Sequence, residues 1–269
     1  MKKYIILTAL AFVCLGSMAQ QRGGTDRRDA KAMKKEEKRQ RTNAIIKQEE
    51  EGVLSYNKHN AFGIELRSNG YGIFLEKGKM VSPRWANIYT LELTEILHQK
   101  EERSSSAQGF LLGNSFKYGK INNFYQAKLG FGRQYIFGQK GNKNGIAVIG
   151  TAQGGLSIGL EKPYYLQVND DGDDRDIKYT PEDSALFVSG NIIGSSGFTR
   201  GWSEVKVRPG LFAKTSLRFD FGAYNESITA IEIGISAEAY AKAVQQMLFS
   251  DPKRFFAQLH VAVVFGSRK

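Results

Sequence analysis

Residues 203–220 read SEVKVRPGLFAKTSLRFD, and their odd and even positions carry opposite chemistry. The odd positions from Val205 to Phe219 are uncharged and mostly apolar, whereas the even positions include Glu204, Lys206, Arg208, Lys214, Arg218 and Asp220. Because side chains alternate faces along a strand, one face is apolar and the other is charged. A strand of this length exceeds the usual five or six residues and suits a barrel wall with lipid outside and a polar lumen inside. The stretch therefore predicts a transmembrane β-strand.

The same alternation recurs in other parts of the chain. Ile231, Ile233 and Ile235 alternate with Glu232 and with Gly and Ser residues, and the closing stretch after Arg254 alternates in the same way. Repetition of one period across separate segments indicates a common architecture. The segments that read as strands are 61–79, 84–97, 109–118, 122–137, 145–162, 203–219, 226–242 and 254–266.

The number of strands depends on one stretch, FGIELRSNGYGIFLEKGK (residues 62–79), in which the apolar parity switches at Asn69-Gly70. A bulge at that point gives eight strands, whereas a tight hairpin gives nine and requires a tenth within 163–202. We predict the all-β, up-and-down antiparallel transmembrane β-barrel of eight strands, with ten as the alternative. Both termini then lie on the periplasmic side, together with the turns at 138–145 and 221–227, and residues 163–202 form the long extracellular loop.

The amino terminus has the features of an export signal. Two lysines precede an apolar run, and the small-residue pattern Ser17-Met18-Ala19 follows it, so we predict a signal peptide over 1–19. The chain's one cysteine, Cys14, lies inside this run; unless it carries a lipid, the mature chain has no thiol chemistry. Residues 20–55 are predicted to be a charged periplasmic tail, flexible or helical, and residues 56–269 the barrel.

The charge balance restricts the partners. The formal net charge is +11, or +9 once Lys2 and Lys3 are removed with the signal peptide. A basic exported protein meets anionic lipid, lipopolysaccharide, cell-wall polymer or acidic protein. Nucleic acid is not expected, because export leaves little opportunity to meet it and the sequence carries no recognition motif. The expected partners are therefore outer-membrane lipid and lipopolysaccharide, and an envelope protein bound through 22–55 or 163–202.

The chain resembles the small outer-membrane β-barrel proteins of Bacteroidota-type bacteria. The resemblance rests on the signal peptide followed by Gln20-Gln21, on the strands NNFYQAKLGFGRQ (122–134) and GWSEVKVRPGLFAK (201–214), and on the closing strand RFFAQLHVAVVFGSRK (254–269). It covers about residues 56–269 and concerns architecture. It implies a structural or accessory component, such as a subunit of an envelope secretion or assembly complex, located in the outer membrane of a diderm bacterium.

The inward-facing charges form the main candidate site. An eight-stranded barrel is only wide enough for side chains to fill, so these charges must pair with one another and plug the lumen. Ten strands would instead leave room for a narrow pore. The predicted luminal polar network comprises Glu204, Lys206, Arg208, Lys214, Arg218, Glu232, Glu238, Gln258 and His260, and the same faces carry Glu65, Arg67, Glu92, Lys128 and Asp220.

Catalysis is not expected, and no cofactor is predicted. Residues 155–159, GLSIG, match the G-x-S-x-G nucleophile pattern, but that motif needs a strand turning into a helix, and the surrounding sequence reads as strands alone. A barrel-embedded lipid-modifying enzyme is the alternative, with the inward-facing His260 as its catalytic candidate. An inward histidine is more often a member of a luminal hydrogen-bond network.

An acidic stretch, NDDGDDRDIKYTPED, offers a further alternative. Clustered carboxylates suit Ca²⁺, although the spacing here fails the EF-hand template. A solvated, mobile acidic loop is the expectation, and a metal site is the alternative. The residues concerned are Asp170, Asp171, Asp173, Asp174 and Asp176.

Overall fold

The computed structural model describes residues 33–40, 43, 56–104, 115–140, 145–170, 172–189, 191–222 and 226–269. The chain divides into two units, Met1–Glu51 and Gly52–Lys269. The predicted signal peptide and Cys14 lie outside the described residues, and within the predicted tail, residues 33–40 and 43 are helical. Within the described residues, no helix is both long enough and apolar enough to cross a membrane.

The second unit is a closed β-barrel of eight strands. The barrel strands are β1 (Lys58–Arg67), β2 (Gly70–Ser82), β3 (Trp85–Ile96), β6 (Asn122–Gly138), β7 (Ala147–Pro163), β11 (Lys206–Asp220), β12 (Ser227–Val244) and β13 (Lys253–Arg268). Each barrel strand pairs antiparallel with its neighbours, in the order β1-β13-β12-β11-β7-β6-β3-β2, and β1 closes the ring against β13. The predicted all-β, up-and-down antiparallel barrel of eight strands is thereby confirmed.

The count of eight is right although two of its parts were wrong. The predicted single strand 61–79 is a hairpin, because Arg67 pairs with Gly70 across the two-residue loop Ser68-Asn69, and this turn explains the parity switch. The predicted strand 109–118 is not a barrel strand where it is described: Phe116–Lys117 (β5) pairs only with Arg103–Ser104 (β4), and residues 109–114 lie outside the described residues. The hairpin adds one barrel strand to the predicted set and the segment 109–118 removes one, so the total remains eight.

One end of the barrel carries both strand termini and short connections, and we call it the terminal end. His59 pairs with Arg268 there, and two residues join β2 to β3. The opposite end, the loop end, carries the long connections 97–121 and 164–205. This asymmetry matches the arrangement of short turns and long loops in outer-membrane barrels.

Residues that pair directly across neighbouring strands form a row around the barrel. The row that begins at Lys58 on β1 passes through all the other strands and returns to β1 at Ser68. The shear is therefore 68 − 58 = 10 residues, which for eight strands corresponds to a tilt of about 40° from the barrel axis.

The two faces of the wall differ as the sequence predicts. In β11 the even positions from Phe212 to Asp220 are buried, while Leu211 and Leu217 face outward and are exposed. Outward apolar side chains continue around the ring, among them Ile64, Ile73, Leu93, Leu129, Leu156, Ile233 and Val261. Aromatic pairs flank this band: Trp85 packs at a tilt against Tyr135, with ring centroids 4.7 Å apart, near the terminal end, and Tyr125 stacks on Trp202 at 5.6 Å near the loop end. Such a surface is suited to lipid rather than water.

The long connection predicted over 163–202 contains a folded structure at the loop end, and the acidic stretch within it, expected to be a mobile loop, is part of that structure. Strands β8 (Tyr165–Asp170), β9 (Asp173–Lys178) and β10 (Asn191–Ser195) form a separate sheet in the order β10-β8-β9, and a short helix covers Ser184–Ser189. We call this the mini-sheet. The strands that it contains do not join the barrel, so the ten-stranded alternative is wrong. Its core comprises Phe116, Leu166, Val168, Ile177, Phe187 and Ile192.

Candidate functional site

An arginine spans the full width of the lumen. Arg218 on β11 donates two parallel hydrogen bonds to Glu76, from Nη1 at 2.7 Å and from Nη2 at 2.8 Å. Glu76 lies on β2, which is separated from β11 by three strands in either direction around the ring. Arg218 also donates from Nε to Glu232 on β12 at 2.9 Å. All three side chains are buried, so this bidentate pair ties opposite walls together.

Nearer the loop end, a lysine joins β11 to two other strands. Lys214 on β11 contacts Glu65 on β1 at 2.6 Å and Glu92 on β3 at 3.1 Å. Its Nζ also lies 4.9 Å from the ring centroid of Phe74, which favours a cation there. Two strands of the ring separate β11 from each of its carboxylate partners. This contact crosses the lumen as the Arg218 contact does.

Glu238 on β12 accepts hydrogen bonds from two more of the luminal cations. Arg67 and Lys128 both form ion pairs with it, and Gln258 donates to it from Nε2 at 2.8 Å. Lys128 also contacts Glu92 at 2.8 Å, which links this cluster to that of Lys214. Counted together, the buried network holds the carboxylates Glu65, Glu76, Glu92, Glu232 and Glu238 and the cations Arg67, Lys128, Lys214 and Arg218.

This pairing is what permits so many charges inside a narrow barrel. An isolated buried charge is very costly, and a buried ion pair is tolerated when hydrogen bonds satisfy both partners. Breaking one such pair costs about 3–5 kcal/mol, because the remaining charge stays buried and unpaired. The network therefore fills the lumen and holds the strands in register.

Apolar side chains close the lumen on both sides of the charges. Toward the loop end, Phe124, Tyr240 and Phe256 pack as one aromatic cluster, with the Phe124 and Phe256 ring centroids 5.7 Å apart. Toward the terminal end, Ile136 and Ile149 form a smaller core. These plugs exclude water from the ion pairs, which strengthens the electrostatic attraction between them.

Both luminal histidines touch carboxylates of the network. His59 Nε2 lies 2.9 Å from Glu76, and His260 Nε2 lies 3.5 Å from Glu232. His59 packs over Gly78, where an added Cβ would lie 1.9 Å from the imidazole Cε1. Both imidazoles are buried inside the barrel, so neither side chain reaches the lipid-facing surface.

The G-x-S-x-G stretch lies within β7 and not at a strand-to-helix turn. Ser157 is buried, and its hydroxyl lies 2.8 Å from the Tyr240 hydroxyl. Gly155 and Gly159 allow close packing: an added Cβ would lie 2.0 Å from the Leu129 carbonyl oxygen at Gly155 and 2.6 Å from the Phe124 ring at Gly159. These two glycines therefore allow close packing in the barrel wall and are not part of a nucleophile motif.

The structure moves part of the predicted network out of the lumen. Glu204 belongs to a 3-10 helix, Trp202–Glu204, is exposed, and pairs with Lys178 of the mini-sheet. Lys206 is exposed at the first residue of β11, and Arg208 lies at the loop-end mouth, where Nη2 contacts Glu161 at 2.6 Å. The reason is that β11 begins three residues later than predicted, so the alternation continues beyond the rim. The other predicted members, Lys214, Arg218, Glu232, Glu238, Gln258 and His260, are all buried in the lumen.

Sequence analysis does not identify several luminal residues, among them Glu76, His59, Gln126 and Gln134. A single bulged strand over 61–79 leaves out Glu76, and a strand that begins at residue 61 leaves out His59. In the hairpin register, Phe74, Glu76 and Gly78 share the inward face, which brings Glu76 to Arg218. The parity switch at Asn69-Gly70, taken as a hairpin, would have identified Glu76.

The acidic stretch is folded as the β8–β9 hairpin of the mini-sheet, and its carboxylates have separate partners. Asp170 contacts Arg175 at 3.0 Å and Asp176 contacts Arg200 at 2.8 Å. Asp174 accepts from Asn169 Nδ2 at 2.8 Å, Asp173 is exposed, and Asp171 lies outside the described residues. Within the described parts of the chain, no group of three or more His, Cys, Asp or Glu side chains could hold a metal ion.

A second ion cluster lies at the loop end, outside the barrel strands. Glu101 pairs with Lys117 and, at 2.6 Å, with the fully buried Lys120. Burial lowers the pKa of the Lys120 ammonium to about 8, even though Glu101 opposes the change. Burial alone would raise the pKa of Glu101, but the two lysines hold that pKa below its usual range. The cluster ties the two ends of the connection 97–121 to each other.

The geometry defines a class of protein: an eight-stranded barrel with an apolar outer wall and a lumen closed by its own ion pairs. No family model matches the sequence, and no curated protein matches it either. Several solved structures are similar in fold, among them those of three different proteins. The attachment invasion locus protein Ail of Yersinia pestis has 10% identity and a TM-score of 0.36, covering 80% of this chain and all of that one.

Neisserial surface protein A has 7% identity and a TM-score of 0.37, covering 79% of this chain and 96% of that one. The amino-terminal barrel domain of Pseudomonas aeruginosa OprF has 10% identity and a TM-score of 0.34, covering 79% of this chain and 99% of that one. The pairing of the strands defines the fold of this chain independently of these similarities.

Proposed function

We propose that this protein is an integral outer-membrane β-barrel that acts as a non-catalytic structural or accessory component of the cell envelope. The observation that carries the proposal is the combination of an apolar outer wall with a lumen crossed by the Arg218–Glu76 and Lys214–Glu65 pairs. The wall suits a bilayer, and the filled lumen opposes a solute path. The two ends of the barrel are therefore the surfaces that remain available to bind a partner.

The orientation follows from loop length. Outer-membrane barrels have short periplasmic turns and longer extracellular loops, which assigns the terminal end to the periplasm and the mini-sheet to the cell exterior. Residues 22–55 would then offer a charged periplasmic segment, and 163–202 a folded extracellular surface. An envelope protein, such as a subunit of a secretion or assembly complex, is the partner we expect at either place.

Membrane integration is tested first, by heat-modifiable migration in detergent gels and by resistance of the membrane-bound protein to urea extraction. A folded barrel should migrate differently before and after boiling and should resist extraction. A chain that is extracted by urea and shows no heat-dependent shift would contradict the proposal at its base.

The accessory role is tested by capture of the tagged mature protein from envelope membranes in mild detergent, with mass spectrometry. Three forms should be compared: the full chain, a chain lacking residues 22–55, and a chain with Phe187→Ala in the mini-sheet core. A stoichiometric partner lost with one altered region would locate the contact. A lone monomer from all forms would count against an accessory role.

A further inference from the structure

The apolar outer wall is interrupted at one place by a group of cations. On β1 and β2, Lys58 and Lys79 lie directly opposite one another, and Lys77 lies two residues along β2 on the same outward face. Arg133 on β6 also faces outward and is exposed. We call Lys58, Lys77, Lys79 and Arg133 the basic patch.

The basic patch extends into the apolar band and not only along its rim. Lys58, Lys79, Asn87 and Arg133 occupy successive positions of one cross-strand row. With strands about 4.8 Å apart and tilted by about 40°, that row climbs roughly 3 Å per strand toward the loop end. Arg133 therefore lies about 9 Å above Lys58 along the barrel axis.

These cations have no partner within the part of the chain that the structure describes. None of the four forms an ion pair there, whereas the luminal cations Arg67, Lys128, Lys214 and Arg218 all do. Like charges directly opposite on paired strands are destabilising, and charges on the lipid face of a barrel cost up to a few kcal/mol. An anion at this surface would offset both costs.

The surroundings of the basic patch suit a lipid. Lys58, Lys77, Lys79 and Tyr89 line a groove of about 390 Å³ on the outer wall. A second, largely apolar trough of about 450 Å³ begins beside Arg133 and is bounded by Trp85 and Leu217. A phosphate headgroup matches the cations, and an acyl chain matches the apolar trough.

We infer that the basic patch binds the headgroup of an anionic phospholipid in the periplasmic leaflet. This inference rests on the proposed membrane location, because the terminal end must face the periplasm. Arg133 and Lys77 reach toward the leaflet surface along their aliphatic stems, and their charged groups contact the phosphate. The lipid would hold the β1–β2–β3–β6 side of the wall at a fixed depth in the bilayer.

The test is native mass spectrometry of the purified full mature chain with equimolar phosphatidylglycerol and phosphatidylcholine. The triple variant K77A/K79A/R133A removes three charges from the patch, and K100A/K253A/R254A removes three exposed charges from the loop end as a matched control. At about 1 kcal/mol for each cation near an anionic surface, we expect the patch variant to retain phosphatidylglycerol at least roughly tenfold less. The control should stay within about twofold of the parent, and K77R/K79R should retain the parent's preference.

The outcomes separate this inference from the proposed function. Heat-modifiable migration is recorded for every variant, which identifies any chain that fails to form a barrel. If K77A/K79A/R133A fails in this way, the lipid preference of K77R/K79R is compared with that of the parent instead. A folded barrel that retains both lipids equally overturns the inference alone. Unchanged phosphatidylglycerol retention in the patch variant, with loss of a captured envelope protein, would overturn it in favour of an acidic protein partner.

Discussion

At the scale of single residues, the most consequential side chain is Arg218, because it satisfies two carboxylates, Glu232 on the neighbouring strand β12 and Glu76 on the opposite side of the ring. Its replacement leaves Glu76 and Glu232 buried without their main cation. We expect Arg218→Ala to lower the free energy of unfolding by about 3–5 kcal/mol. Urea unfolding in lipid vesicles, followed by tryptophan fluorescence, measures the change.

Arg84→Ala is the matched control for Arg218, since Arg84 lies in the exposed two-residue turn between β2 and β3. A surface arginine of this kind should change stability by no more than about 0.5 kcal/mol. Equal effects of the two substitutions would mean that the ion pairs of Arg218 do not stabilise the folded barrel in the vesicle membrane.

A second residue-scale prediction concerns Lys120, whose pKa burial lowers to about 8 from its ordinary value of 10.5. The unfolded chain binds more protons than the folded chain between these two pKa values, so this group makes stability rise with pH across that window. The cost of burying the ammonium is fully present below about pH 8. Glu101→Gln should lower the pKa of Lys120 further, because the carboxylate favours the charged form.

The measurement is the pH dependence of the Lys120 ¹³Cε resonance in selectively labelled protein. Lys117 provides an internal comparison: burial lowers its pKa, but its hydrogen bond with Glu101 and the charge of that carboxylate together outweigh burial, so that its pKa is raised. A Lys120 midpoint at or above 10.5 would show that the ion pair with Glu101 dominates its burial.

At the scale of elements, β12 allows a comparison between two outward positions on the same strand. Ile233 lies within the apolar band and Thr229 lies near the terminal end. An arginine on the lipid face costs about 2–4 kcal/mol at the bilayer midplane and about 0–1 kcal/mol near the interface. We therefore expect Ile233→Arg to be more destabilising than Thr229→Arg by about 2 kcal/mol, as measured by urea unfolding in vesicles. Equal costs would argue against a membrane-embedded wall.

The mini-sheet is the second element with a separable prediction, because its core contains Phe187 and Val168 and none of the luminal side chains. Phe187→Ala should remove about 3–5 kcal/mol of packing from this small core. Residues 165–178 should then exchange their amide hydrogens faster, while heat-modifiable migration of the barrel is unchanged. Loss of the heat-modifiable band would mean that the mini-sheet is needed for barrel formation.

At the scale of the whole molecule, the closed lumen predicts the transport behaviour. The cross-lumen pairs and the aromatic cluster of Phe124, Tyr240 and Phe256 obstruct the axis, so the protein should show no stable conductance in planar bilayers. Phe124→Ala serves as a comparison that removes part of one plug but keeps the ion pairs, and it should also remain closed. Stepwise single-channel currents from the parent protein would favour the pore alternative.

The sequence by itself determined the class of fold and the direction of most side chains. Strict alternation in 211–220 determined which residues face the lumen, because a strand has only two faces, and in a barrel wall one faces lipid and the other faces the lumen. The sequence also predicts no nucleic-acid partner, because it carries an export signal and no recognition motif. Local pattern is sufficient for these conclusions, since each depends on residues that are near one another in the chain.

Only the tertiary structure decided which strands close the ring and which charges meet. Arg218 and Glu76 are 142 residues apart, and nothing near either residue specifies the other. The core of the mini-sheet likewise depends on contacts between distant parts of the chain, because it joins Phe116 to residues beyond 165. These contacts fold the acidic stretch, which the sequence alone predicts to be a loop. Alternation gives each side chain a face, but its partner across the lumen depends on strand number and shear, which are properties of the closed barrel.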